Sequence, residues 1–196
     1  MNNIDVNGDS VWYTRNGDIV TMHVTAKIFN NSSDNINMAR AAKDIVSDIK
    51  STYEGKFEWS DNKTYNLKVD MDLKVATSMK DVENSDHLFV LADSDSKGAR
   101  GATSMLGGKV MTLASSDFAN NNWLSNNLSY NKTFTAAHEF GHAIGLSHSQ
   151  NPFNIMKQGG VVHNSNSNQR VIMLQQQNNL NNNLVVDIYN LGLKWR

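Results

Sequence analysis

The chain contains no cysteine. Disulfides, thiolate metal sites and thiol nucleophiles are therefore excluded. Net charge is also nearly absent, at -1 at pH 7, which gives no bias toward nucleic acid or an anionic membrane. No apolar run reaches membrane-spanning length. Residues 1–10 lack the basic start and apolar stretch of a signal peptide. Export by another route, excision from a longer chain and work inside cells all stay open, with secretion or delivery outside the producing cell suspected. Neither nucleic acid nor membrane is expected as a partner. A chain of 196 residues can bury a sizeable core, as one domain or as two subdomains around a cleft, and a monomer is expected.

What is present is concentrated in eleven residues. His138-Glu139-Phe140-Gly141-His142-Ala143-Ile144-Gly145-Leu146-Ser147-His148 carries three histidines and one carboxylate. On an α-helix, residues four apart lie one turn along and about 40° around the axis, so His138 and His142 share a face and can share an ion. Glu139 lies one step round. It need not bind metal, but it can take a proton from a water held there. Gly145 suits a helix end, because it tolerates the left-handed conformation and lets the chain turn sharply. That turn returns His148 to the same ion. Three neutral imidazoles leave a fourth position open, the arrangement of a catalytic rather than a structural zinc site. The alternative is a chance run on an amphipathic helix with solvated histidines. With only 6 histidines in the chain, accident is a poor account of the full pattern.

This extended motif resembles that of the metzincin zinc metalloproteases, whose signature adds a methionine turn beneath the metal. Residues 151–156, ending Ile155-Met156, supply that turn, and their short gap from His148 resembles the matrixin branch. Ala136-Ala137 before the motif and Ser149 after it are also similar to matrixin text. The resemblance implies one catalytic Zn2+ held by His138, His142 and His148, Glu139 as general base and acid, and Met156 as a hydrophobic support. It implies an endopeptidase acting on a protein or peptide substrate. A selective toxin or effector protease with one target, and a zinc-binding interaction module whose catalysis has lapsed, are the competing readings.

Matrixins also carry an edge strand and a Gly-rich turn before the active-site helix, and residues 101–113 are similar in order. On that likeness Gly101, Ala102, Thr103 and Ser104 form a rim along which substrate adds as a strand. Lys157-Gln158-Gly159-Gly160 lacks the proline and tyrosine of the usual specificity wall. Gln158 stands where related clans place a tyrosine ligand, so no tyrosine switch is expected. Neither a cysteine latch nor a second, structural zinc is expected.

Elsewhere, residues 18–29 show β-branched alternation and read as a strand. Residues 36–53 place Ile36, Ala39, Ala42, Ile45, Val46, Ile49 and Tyr53 at helical spacing, with Asp34 or Asn35 as N-cap. Residues 65–76 alternate as a half-buried strand, and 87–92 as a short central one. The expected fold is α+β, an α/β sandwich in which a twisted mixed sheet packs against two helices. It matches the zincin architecture that the resemblance implies. Residues 1–147 are expected to form the sheet subdomain and 148–196 a small C-terminal one. Residues 93–98 begin like a calcium loop, but Lys97 fills a ligand slot and Ser104 stands at the twelfth position. Calcium is possible there but unsupported. His23, His87 and His163 are left as strand or loop histidines, and Trp12, Trp59 and Trp123 as core residues. The Asn- and Gln-rich stretch beyond 163 reads as a loop with a marginal helix or a disordered tail, and 184–195 as an apolar segment packing back.

Overall fold

Alternation of apolar and polar side chains builds the centre of the sheet. In the computed structural model, which describes residues 11–58, 63–93, 100–119, 129–150 and 155–158, β2 (Ile19–Asn30) buries Val20, Met22, Val24, Ala26 and Ile28. That is the period-two face of a half-buried strand. β1 (Val11–Asn16) precedes it through a tight turn with Gly17 at φ 63°. β1 pairs antiparallel with the first half of β2, from Val11 opposite Val24 to Asn16 opposite Ile19.

The chain then enters α1 (Met38–Tyr53), which buries Ala41, Ala42, Ile45, Ile49 and Tyr53. Its cap differs from expectation. Asn37, not Asp34 or Asn35, accepts from the Arg40 N–H at 3.0 Å. Asp34 is engaged elsewhere, accepting from Ser115 Oγ at 2.6 Å, and Ile36 bridges to Ala119 before the helix begins. Ala39 consequently faces solvent, while Ala41 takes the buried position.

β3 (Gly55–Glu58) and β4 (Thr64–Val75) form an antiparallel pair. β4 runs parallel to β2 and buries Tyr65, Leu67, Val69 and Met71. β5 (His87–Ala92), the apolar run read as central, lies parallel to the second half of β2. β7 (Val110–Ala114) is parallel to β5, and β6 (Gly101–Thr103) closes the sheet as an antiparallel edge. The strand order is β3-β4-β2-β5-β7-β6, with β1 beside β2. α2 (Ser129–Ala143) packs on β6, β7 and α1, and α1 packs on β4. Among the described residues, two helices pack against one face of a mixed sheet, the α+β architecture expected.

Two strands, β1 and β3, are additions to the sequence reading. Their burial is thin: in β1 only Tyr13 is buried. Trp12 is half-buried and stacks on the His23 ring at a centroid distance of 5.2 Å. His23 in turn meets Thr14 Oγ1 at 2.8 Å and Asp70 Oδ2 at 3.0 Å. Trp59, Trp123, His163, the heart of the calcium-like segment and the whole C-terminal stretch lie outside the described residues.

Candidate metal centre and catalytic site

Gly145 makes the metal-ligand geometry of α2 attainable. At φ 96° it occupies the left-handed region, and its N–H donates to the His142 carbonyl at 3.0 Å while Leu146 N–H donates to the Gly141 carbonyl at 2.8 Å. This pair of bonds is the Schellman ending of a helix. The reversal carries the next residues back across the helix end. His148 arrives with its Nε2 at 3.1 Å from His142 Nε2, and His142 Nε2 stands 3.1 Å from His138 Nε2. Of the described residues, these three alone form a cluster able to hold a metal ion, with their ligand atoms all within 4.8 Å of one another.

The other ring nitrogens decide what those short distances mean. His138 Nδ1 lies 2.6 Å from the Ile155 carbonyl and His142 Nδ1 2.7 Å from the Leu146 carbonyl. A carbonyl can only accept, so each Nδ1 carries the proton and each neutral ring turns a bare Nε2 lone pair inward. Burial, more than the charges nearby, pushes the His138 ring below the ordinary imidazole pKa, which favours that neutral form. Lone pairs aimed at one another across 3.1 Å repel unless a cation lies between them. Tetrahedral zinc at about 2.0 Å from each nitrogen sets neighbouring nitrogens about 3.3 Å apart. The donor set therefore fits zinc, with main-chain carbonyls holding two of its imidazoles from behind.

Glu139 is buried, at 6% exposure. Its Oε2 receives the Thr103 hydroxyl at 2.7 Å, and the same Oγ1 is 3.0 Å from the Glu139 main-chain oxygen. Gly101 lies directly opposite: a Cβ there would stand 2.9 Å from Glu139 Cγ and Oε1 and 2.6 Å from Thr135 Cγ2. The edge strand is thus pressed onto the helix at the one buried carboxylate of the site. Gly107 N–H, in the turn after β6, donates to the His142 carbonyl at 2.8 Å and fastens the turn to the helix end.

Met156 is buried beneath the helix, and a side chain at Gly141 would collide with its Sδ. It sits under the turn of α2 that carries His138 and His142. Ser149 N–H donates to the Met156 carbonyl at 2.9 Å, joining the His148 segment to that turn. Of the rim residues named from sequence, Gly101 and Thr103 meet Glu139, while Ala102 and Ser104 are exposed.

Sequence reasoning missed three contributors. Tyr53, at the end of α1, donates to the Ala137 carbonyl at 2.8 Å and packs edge-on against Phe140 at 5.8 Å. Its only signal was its place as the last buried position of the helical spacing. The carbonyls of Leu146 and Ile155 leave no trace in sequence.

Such a three-histidine centre at the end of a helix, with an edge strand of a mixed sheet at its rim, defines the zinc metalloprotease class. The chain belongs to the matrixin family, whose profile it matches over residues 12–179. No curated protein matches it by whole-chain sequence comparison. Among solved structures it is similar to archaemetzincin from Methanopyrus kandleri, at 14% identity and a TM-score of 0.47, covering 84% of this chain and 96% of that one. It is also similar to metalloproteinase-II from Bacteroides fragilis, at 14% identity and a TM-score of 0.38, covering 78% of this chain and 53% of the other.

Proposed function

We propose that the chain is a zinc-dependent endopeptidase in which His138, His142 and His148 hold the ion and Glu139 moves the proton. The observation that carries this reading is the convergence of three Nε2 atoms, two of them on rings fixed by carbonyls at Nδ1, with a buried carboxylate next to His138 on the same helix. A zinc ion in that set would bring the pKa of water toward neutrality and polarise the scissile carbonyl. Glu139 takes the water proton and returns it to the departing amine nitrogen, serving as base and then acid. With Oε2 engaged by Thr103, Oε1 is the oxygen available for that transfer.

The rim supports a substrate in extended form. Ser104 N–H bonds to the Val110 carbonyl and Ala114 N–H to the Arg100 carbonyl. Main-chain groups of alternate residues in an antiparallel pair point to opposite sides. Those of Gly101 and Thr103 therefore turn away from β7 toward the open edge, where a peptide strand can add. Residues 1–147 form the upper subdomain in this reading, and 148–196, beginning at the third ligand, the smaller lower one.

Digestion of a proteome-derived peptide library beside Glu139→Ala and a chelated control tests the proposal. Cuts lost in both controls establish zinc peptidase activity and its specificity. Stoichiometric zinc with no cuts sinks the general-peptidase reading, leaving an effector protease with a single target or a zinc module without catalysis.

A further inference from the structure

The buried carboxylate of Glu139 is held from two sides by the edge strand. Gly101 faces it so closely that a Cβ there would stand 2.9 Å from Glu139 Cγ and Oε1, and Thr103 bonds Oε2 at 2.7 Å. A glutamate has three side-chain torsions, and a base that must face one water loses rate when it samples others. Gly101 removes space, but only Thr103 supplies a directional bond. We propose that Thr103 is a positioning residue: its hydroxyl fixes the rotamer of the Glu139 carboxylate and so aims Oε1 at the reacting water. The proposal rests on the reading of Glu139 as the base.

The local chemistry suits the task. Threonine is branched at Cβ, so χ1 in a strand is stiff and the hydroxyl direction is set by the backbone of β6. The hydroxyl has one proton and two acceptors, both on Glu139: Oε2 at 2.7 Å and the main-chain oxygen at 3.0 Å. The nearer oxygen, Oε2, takes it.

The same residue turns its main chain to the open edge of the sheet, by the alternation that follows from the Ser104–Val110 and Ala114–Arg100 bonds. A substrate strand docked on Thr103 is thereby registered against the carboxylate that acts on it. Loss of the hydroxyl leaves that main chain intact, so turnover and binding should separate.

The test compares wild type, Thr103→Val, which keeps the shape and removes the hydroxyl, and Thr103→Ser, which keeps the hydroxyl. On the best peptide from the library, kcat of Thr103→Val is expected to fall about ten-fold or more, with KM within about three-fold. Zinc stoichiometry should not change, and Thr103→Ser should recover most of the loss. A second readout needs no turnover: in crystals of the metal-free proteins the Glu139 carboxylate should hold one rotamer in wild type and Thr103→Ser and spread over several in Thr103→Val. If Thr103→Val fails to fold, Thr103→Ala takes its place in the same comparison. Wild-type kcat in the hydroxyl-free variant, equal damage in Thr103→Ser, or an unchanged single rotamer overturns the proposal. A wild type that binds zinc and cuts no peptide defeats the peptidase reading instead, and the rotamer comparison still decides whether Thr103 sets Glu139.

Discussion

Gly141→Ala sets two effects of known size against each other inside the active-site helix. Glycine in a helix interior costs about 1 kcal/mol relative to alanine, so propensity alone makes the substitution stabilising. Packing opposes it. The added Cβ would meet Met156 Sδ, stand 3.0 Å from Met156 Cε, and stand 2.6 Å from the Tyr53 hydroxyl oxygen. Met156 is unbranched and can swing its end aside at modest cost. Tyr53 cannot, because its ring is fully buried, lies edge-on to Phe140 and is fixed by the 2.8 Å bond to the Ala137 carbonyl. Overpacking a filled core costs about 1–3 kcal/mol, and displacing a buried hydroxyl from its partner adds about 1–3 kcal/mol. Set against the propensity gain, the net loss is about 1–5 kcal/mol. For a chain of this size that corresponds to a fall of roughly 2–20 °C in melting temperature. Denaturant titration with the metal level fixed measures it. Tyr53→Phe removes the obstructing oxygen, so the double variant should be more stable than the sum of the two single losses predicts, by at least about 0.5 kcal/mol. A Gly141→Ala protein as stable as wild type, or a strictly additive double variant, would refute the packing argument.

Chelation should destabilise the protein, since an ion bound only by the folded state adds RT ln(1 + [Zn]/Kd), about 2.7 kcal/mol at one hundred times Kd; melts with and without chelator measure it, and His148→Ala should lose most of the difference. Acidification gives a separate effect through His87, which burial, with help from Lys109, pushes down to about 4. The unfolded chain takes up this proton first, near the ordinary value of about 6.5. Stability from this group is therefore complete above that pH and lost as pH falls toward 4, by about 2 kcal/mol between pH 7 and 5. Denaturant curves of wild type and His87→Gln across that window should converge as pH drops, and a parallel pair would count against the buried neutral ring. Gly101→Ala should cut turnover about one hundred-fold by pushing Glu139 aside; steady-state kinetics at near-native activity would show that the contact yields without moving the carboxylate.

The parts of the site legible in sequence are those fixed by short-range geometry. His138 and His142 follow from helical spacing, His148 from the glycine that ends the helix, and β2, β4 and β5 from apolar alternation or runs. What escaped depends on contacts across the chain. β1 buries one side chain and so has almost no alternation to show. The α1 cap moved because Ser115, far along the chain, occupies Asp34. Thr103 could be placed on the rim, but its contact with Glu139 needs the edge strand to dock on α2. Tyr53 could be placed in the core, but not against Gly141.

The carbonyl tethers behind the imidazoles bear on how such a site drifts over evolutionary time. A side-chain partner for Nδ1 can be lost in a single codon change. No substitution at Leu146 or Ile155 deletes a main-chain oxygen. Two ligands are therefore oriented by groups every amino acid supplies, and the loop side chains are left to vary under pressures unrelated to the metal. Selection on ring orientation then falls on the path of the chain: on the left-handed glycine at 145 and on the turn that ends at Met156.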